Sequence, residues 1–469
     1  MFIVIDALRT RNLGCYGYTK PTSPNIDNLA RTGVLFERHY SAINTTDPSL
    51  TTIFSGKYPV SHGIINHGSQ RKEELATFYA SRTVLLPEVL SAQGYRTMAI
   101  DWLGRWHTRG YDYYSGILLP ENTGKTRPQR IRNGNAKTPV GRWIASARAS
   151  LPSLKKRAWP KPLSRSEVFA DAASICRHAA DLTSGTDPRP FLLFMHFWDT
   201  HWSYACPQEF SQRLYDPSAL PSRGPIPDSQ LVSDMQALGL SVAGAVARYD
   251  GAIAYVDHCL GQLLHTLATR GVLDKTLVVI TADHGESLGE HGIFFEHHGL
   301  YDQTIHVPLI VKHPRLPSGL AVQTTTRHVD ILPTLLDFLG LESPADVDGH
   351  SFLPAVYGHG QAEPSFVFAE ERHFQDKAML ATSRYKYVRA LAADGQAACR
   401  RCHTVHGGAE ELYDLEQDPG EEHNIALERA DVAADFKGLL SEYVTSLTGK
   451  REANLAKAAL GRLKAEGRM

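Results

Sequence analysis

Five apolar runs punctuate the chain, at Phe2–Asp6, Thr97–Asp101, Phe191–His196, Leu277–Asp283 and Val307–Val311. Each is short, continuous and rich in β-branched or aromatic residues, the pattern of a strand buried on both faces. Between the third and fourth runs the apolar positions switch to helical spacing, at Tyr249, Ile253, Val256, Leu260, Leu263 and Leu264. Strands separated by helices predict an α/β fold, a large mostly parallel sheet flanked by helices. In such sheets ligands sit beyond the carboxyl ends of the strands. Asp6 and Asp283 each close a run, and His196 through His201 follow another. Three polar clusters from distant parts of the chain therefore converge on one edge of the predicted sheet.

After about residue 360 the pattern changes. Phe366-Val367-Phe368, Met379-Leu380-Ala381 and Tyr385-Lys386-Tyr387-Val388 are short strand candidates with close turns, followed by a helical pattern from about Val432 to Leu447. The expected organisation is an α/β domain over 1–360, a small antiparallel α+β subdomain over 361–448 and a polar helical tail over 449–469.

Composition narrows the function classes. Of 469 residues, 42% are apolar and 21% charged, and the formal net charge is −1. That is the balance of a soluble globular protein, with no overall attraction to nucleic acid. No apolar run approaches the roughly 20 residues that span a bilayer. Met1 runs straight into a core strand, so as written the chain is expected to be cytoplasmic, or periplasmic if its true N-terminus is longer. One stretch departs from charge balance: residues 122–166 contain no acidic side chain but carry twelve basic ones, among them Lys155, Lys156 and Arg157. It reads as a solvated insertion, or as a cationic lid that gathers an anionic substrate or touches a lipid surface. The six cysteines form no disulfide framework. Cys399-Arg-Arg-Cys402-His403 has the spacing of c-type haem attachment, but nothing else supports a cytochrome. Two free thiols on a polar loop are expected, with a local metal or redox pair as the alternative.

Two short stretches carry the chemistry. Thr46-Asp-Pro-Ser-Leu50 places a hydroxyl before a Pro-Ser turn, and Thr281-Ala-Asp-His-Gly-Glu286 ends an apolar run with two metal-type ligands side by side. Phosphate and sulfate esters repel incoming nucleophiles, and a divalent ion both offsets that charge and lowers the pKa of a hydroxyl it binds. Asp6, Asp283 and His284 supply two carboxylates and an imidazole for such an ion. Thr46 reads as the nucleophile, or alternatively as a hydroxyl capping the helix that follows it.

Ordered motifs extend this reading along nearly the whole chain. Asp6-Ala-Leu-Arg, Leu13-Gly-Cys-Tyr-Gly-Tyr, Ser23-Pro-Asn-Ile-Asp-Asn-Leu-Ala, Tyr58-Pro-Val-Ser-His62-Gly, Ser287-Leu-Gly-Glu-His291-Gly, Asp330-Ile-Leu-Pro-Thr-Leu-Leu and Leu412-Tyr-Asp-Leu-Glu-Gln-Asp-Pro-Gly-Glu resemble the sulfatase-like enzymes of the alkaline phosphatase superfamily. The resemblance implies a metal at the strand ends with Asp6, Thr46, Asp283 and His284 as its ligands. It also implies that His201 protonates the leaving oxygen and that His298 contacts the ester oxyanion, with His291 and His297 as neighbours competing for that role. Lys57 fits a phosphate contact or a salt bridge. Gly104-Arg105-Trp106-His107 is similar to the family's Gly-Lys-Trp-His, three residues further from Gly94-Tyr95 than the family has it, and makes Arg105 and His107 substrate-binding candidates. Asn66 is a lesser one.

The departures matter as much. Sulfatases proper have Cys or Ser where this chain has Thr46, and mature that residue to formylglycine; threonine is not a substrate for that maturation. The family's arginine is replaced by Leu50, its paired aspartates become Asp6-Ala7 and its Asp-Asn pair becomes Asp283-His284. An imidazole in place of an amide favours Zn²⁺ or Mn²⁺ over Ca²⁺ or Mg²⁺. In these respects the chain is similar to the threonine-nucleophile branch, the phosphoethanolamine and phosphoglycerol transferases and phosphonate monoester hydrolases. The expectation is a metal-dependent hydrolase or transferase of phosphate esters on an anionic small molecule, lipid or glycan, acting through a Thr46 ester. The alternatives are a sulfuric ester hydrolase that manages without formylglycine, and an inactive binding protein on the same scaffold.

Overall fold

The computed structural model describes residues 1–68, 72–115, 171–185, 187–218, 226, 228–359, 366–391 and 398–465. The basic segment over 122–166, with the lipid contact expected of it, lies outside the described residues. An eight-stranded sheet runs in the spatial order Leu320–Val322, Val34–Phe36, Leu309–Lys312, Val278–Thr281, Phe2–Ile5, Phe191–Phe197, Arg96–Ile100 and Tyr113–Ser115. Only Leu309–Lys312 runs against its neighbours; the other pairings are parallel. The predicted α/β class is thus the observed one, and the three strands the sequence did not announce are short edge or near-edge strands.

The central strands are apolar throughout because both faces are covered. Ile3, Ile5, Val278 and Ile280 point into one core with the helices Ala172–Leu182 and Val242–Thr269. Phe2, Val4 and Val279 point into the opposite core, against the helices Thr46–Ser55, Leu86–Ala92 and His328–Phe338. The period-2 alternation of a strand makes that division.

A second sheet is an antiparallel meander of Val367–Glu371, Lys377–Ala381, Tyr385–Ala390 and Glu410–Asp414. Its last strand is disguised in the sequence by charge: Glu411 is fully buried there and its Oε1 accepts from Lys377 Nζ at 2.7 Å. The helix Ala430–Ala465 packs on this sheet and runs without a break into what the sequence presented as a separate tail. Ile43 bridges to Glu370, so the second sheet is stitched to the segment just ahead of Thr46. Among the described residues no helix is long and apolar enough to cross a membrane.

Candidate active site

Asp6 closes the Phe2–Ile5 strand, its backbone N–H donating to Phe197 O at 2.9 Å. The chain then turns through Ala7 in the left-handed region, φ 54°, a cost an L-residue bears where the surroundings fix the turn. That turn aims the Ala7 N–H at Asp283 Oδ1, 3.2 Å away. Asp283 and His284 follow the neighbouring strand, Val278–Thr281, so two strand ends present their ligands side by side. A side chain at Gly285 would meet Gln303 O at 2.1 Å, which explains the glycine after the pair.

His284 is held in one tautomer. Its Nδ1 donates to Gly285 O at 2.9 Å, which fixes the ring with Nε2 directed inward. Nε2 lies 3.4 Å from Asp283 Oδ2, 3.8 Å from Asp6 Oδ1 and 3.5 Å from Thr46 Oγ1. His196 enters the same space from the Phe191–Phe197 strand. Its Nδ1 meets Asp101 Oδ1 at 2.9 Å and its Nε2 faces Asp6 Oδ2 at 3.4 Å. The sequence reading placed His196 in a polar cluster at the sheet edge without giving it a role, and gave none to Asp101. A histidine inside an apolar run and a carboxylate closing one were the available signals.

The electrostatics of this cluster ask for a cation. Both oxygens of Asp6, Asp283 Oδ2 and His196 Nε2 are buried without a hydrogen-bond partner, and ligand atoms of Asp6, His196 and Asp283 all lie within 4.8 Å of one another. Burial and the adjacent charge of Asp6 raise the Asp283 carboxyl above its ordinary range. Burial also works against Asp6, but the His196 imidazole, 3.4 Å from Oδ2, draws it below the ordinary range. Buried acceptors left unpaired are costly, and one divalent ion between them removes that cost. The residues present therefore fit a single divalent metal.

Thr46 is the first residue of the buried helix Thr46–Ser55. No side-chain hydrogen bond caps that helix, and Thr45 rather than Thr46 occupies the cap position; the capping role is not what Thr46 does. Its hydroxyl instead faces His284 at the positive end of the helix, where developing negative charge is favoured. Ser49 Oγ donates to Asp283 O at 2.6 Å, tying the helix to the ligand strand. The adjacent Asp47 carboxylate receives Arg105 and His107 Nε2 at 3.1 Å, and its backbone N–H donates to His67 Nδ1 at 3.3 Å. Arg105 and His107 thus gather one residue from Thr46, and their visible contact is with Asp47.

The remaining candidates divide. His201 is in the pocket, its ring stacked on Trp198 at 4.0 Å and edge-on to His297 at 5.5 Å. Its Nδ1 meets Trp202 O at 3.0 Å, and burial pushes its pKa below the ordinary value, so the ring is neutral at rest and takes up a proton before it can deliver one. His298 is not in the pocket: its Nε2 faces His406 Nε2 at 3.1 Å. Its neighbour His297 stacks on His284 at 4.2 Å and replaces it as the third ring of the site. His291 stacks on Tyr301. Lys57 is also displaced. It follows a ten-residue helix, about 15 Å from Thr46 by the helical rise, and pairs with Asp346. Asn66 bonds Glu74.

A mostly parallel sheet with a metal-type donor set and a hydroxyl at its strand ends is the alkaline phosphatase-like arrangement. Residues 1–341 match the sulfatase family profile, and residues 289–446 match the one described as N-sulphoglucosamine sulphohydrolase, C-terminal. The chain belongs to the sulfatase family. It is 24% identical over 501 residues to an N-acetylglucosamine-6-O-sulfatase of Bacteroides thetaiotaomicron, covering 94% of this chain and 84% of that one. In fold it is similar to a protein solved in complex with its substrate D-glucosamine-2-N,6-O-disulfate, with a TM-score of 0.70, 19% identity, and 97% and 98% of the two chains covered. A phosphonate monoester hydrolase from Silicibacter pomeroyi has a TM-score of 0.65 at 21% identity, with 95% and 94% covered.

Proposed function

We propose that the chain hydrolyses an ester of a tetrahedral oxyanion, sulfuric or phosphoric, borne by a glycan or other small molecule, with Thr46 Oγ1 as the attacking atom. The observation that carries this reading is the 3.5 Å approach of Thr46 Oγ1 to His284 Nε2 beside unpartnered carboxylates. Asp6, Asp283 and His284 would hold the divalent ion, with His196 as a further imidazole, a donor set that favours Zn²⁺ or Mn²⁺. When bound, the ion supplies positive charge against the ester and eases ionisation of a hydroxyl beside it.

The chain's own groups then account for the rest. Thr46 Oγ1 attacks the central atom in line, and the bond to the leaving oxygen breaks. The threonine proton passes to solvent as the hydroxyl ionises, and His201, having taken up a proton, delivers it to the leaving oxygen. Water repeats the displacement at the same atom and restores Thr46.

Two observations weigh on the transferred group. The family match and the N-acetylglucosamine-6-O-sulfatase relative favour a sulfuric ester. Residue 46 favours a phosphoric one, because an esterified threonine has no aldehyde route and must be resolved by a second attack, which phosphorus accepts readily. The test is a panel of aryl sulfate, phosphate, phosphodiester and phosphonate substrates sharing one leaving group, each with Zn²⁺, Mn²⁺, Ca²⁺ and Mg²⁺. A dominant kcat/KM for sulfate or for phosphorus decides between them. A stoichiometrically metal-loaded chain that turns over none of the panel would refute the enzymatic reading and leave the binding scaffold.

A further inference from the structure

The displaced His298 has a partner set of its own. A nitrogen of His298, the sulfurs of Cys399 and Cys402 and a nitrogen of His406 all lie within 4.8 Å of one another. His298, Cys399 and His406 are buried and Cys402 is half-buried. We propose that these four side chains form a second, tetrahedral Cys₂His₂ metal site that binds Zn²⁺ and clamps the 398–406 loop onto the turn carrying His297.

Three features of the cluster point to a cation rather than to hydrogen bonds. His406 Nε2 is approached by His298 Nε2 at 3.1 Å and by Cys402 Sγ at 2.9 Å. One ring nitrogen offers either one proton or one lone pair, so it cannot satisfy both neighbours, whereas an ion at the centre satisfies every ligand at once. The spacing is also right. Zinc bonds of about 2.0–2.3 Å at tetrahedral angles place ligand atoms roughly 3.3–3.8 Å apart, so the two approaches at His406 relax outward by about 0.2 Å to His298 and about 0.6 Å to Cys402. Finally, the Cys399-Arg-Arg-Cys402 turn is bent as a chelating turn must be. His403 N donates to Cys399 O at 2.9 Å, and Arg401 N points at Cys399 Sγ at 3.4 Å, an N–H directed at the sulfur that would carry negative charge.

The surroundings show what such a site would stabilise. Arg401 joins Asp228 at 2.8 Å and Glu296 at 2.6 Å, drawing the same loop to the strand that precedes His297. On the far side, Asn44 Nδ2 donates to His297 O at 2.8 Å and to Gly299 O at 3.1 Å. His298 therefore sits in a turn gripped from the Thr46 side by Asn44 and from the loop side by the cluster. A zinc there fixes the backbone under the ring that stacks on His284. The second site is structural: its four ligands leave no open position for substrate.

The test uses the full chain purified without a metal-affinity tag. Wild type is expected to retain one zinc per chain after mild chelation. The double variant Cys399→Ser with Cys402→Ser should lose that equivalent, and Asp283→Asn should keep it. Exchange with Co²⁺ should give thiolate-to-cobalt charge-transfer absorption, weakened by Cys402→Ser, which leaves one thiolate, and abolished in the double variant. Should the double variant fail to fold, His298→Ala offers a second arm, retaining the charge-transfer band while shifting the visible cobalt bands. The proposal is overturned by a Cys399–Cys402 disulfide in the native protein, by a cobalt spectrum with no thiolate band, or by both thiols of the metal-loaded chain reacting as readily as exposed ones.

Discussion

Thr46 Oγ1 and His284 Nε2 stand 3.5 Å apart although 238 positions separate them in the chain. One begins a helix and the other follows a strand, so the contact exists only because the helix N-terminus is laid across the carboxyl edge of the sheet. With Nδ1 committed to Gly285 O, it is Nε2 of His284 that faces Thr46 and the carboxylates. The proposed chemistry depends on that geometry.

Asp283→Asn and His284→Ala are therefore expected to lower kcat by about 10³-fold or more, the scale on which metal and nucleophile machinery fails. Metal occupancy should fall with it. With the second site already filled by zinc, the melting temperature of wild type should rise with added metal by mass action, and that rise should be lost in both variants. A variant that keeps full activity and a metal-dependent Tm removes the site from these residues.

Asp101 touches His196 rather than the proposed ion, through the 2.9 Å bond to Nδ1. Carboxylates in that position orient a ligand, and their loss typically costs about 10–100-fold in metal affinity. Asp101→Asn should raise the metal Kd by that factor and leave kcat at saturating metal within a few-fold of wild type. Titration of apo protein with Zn²⁺ or Mn²⁺ measures it; an unchanged Kd means His196 is not a ligand.

Arg9 and Glu290 form a buried pair at 2.8 Å, with side chains 9% and 20% exposed. Burial raises the Glu290 carboxyl, but the Arg9 charge and hydrogen bond outweigh it and lower its pKa from 4.5 to about 2. A depressed carboxyl contributes stability above its unfolded value, and that contribution is lost as pH falls from 4.5 through 2. At neutral pH it amounts to about 3 kcal/mol. Denaturant unfolding of Glu290→Gln should show a deficit of that order at pH 7 and a clearly smaller one at pH 3. A deficit independent of pH contradicts the pair.

Lys57 provides a contrasting expectation. Its side chain is 3% exposed and pairs with Asp346, so Lys57→Met should lower stability by about 1–3 kcal/mol through the lost pair. KM for every anionic substrate should stay unchanged, and a raised KM would return Lys57 to the site.

The sheet and half the site were readable because buried parallel strands are apolar throughout and ligand carboxylates close them, as Asp6 and Asp283 do. His196 and Asp101 obey the same rule, but each passes for the polar end of a run until the Phe191–Phe197 and Arg96–Ile100 strands are known to be neighbours. His297 and His298 could not be separated, since adjacent residues in a turn face opposite ways and only the packing of His284 and His406 decides which faces the pocket. Of the two readings of Lys57 the salt bridge is the one found, because a helix lies between it and Thr46. The Cys399–Cys402 pair read in sequence as free thiols or a local metal or redox pair, because one of its partners, His298, lies a hundred positions upstream.

The account turns on Thr46 as the atom that receives the transferred group. Rapid quench of wild type with whichever fast-leaving aryl ester it turns over best, followed by peptide mass spectrometry, measures this directly. A sulfuryl or phosphoryl mass on the peptide containing Thr46, formed within the first turnover and absent from Thr46→Ala, is the predicted result. An unmodified Thr46 peptide throughout, with Thr46→Ala remaining nearly fully active, contradicts it and gives the attack to water.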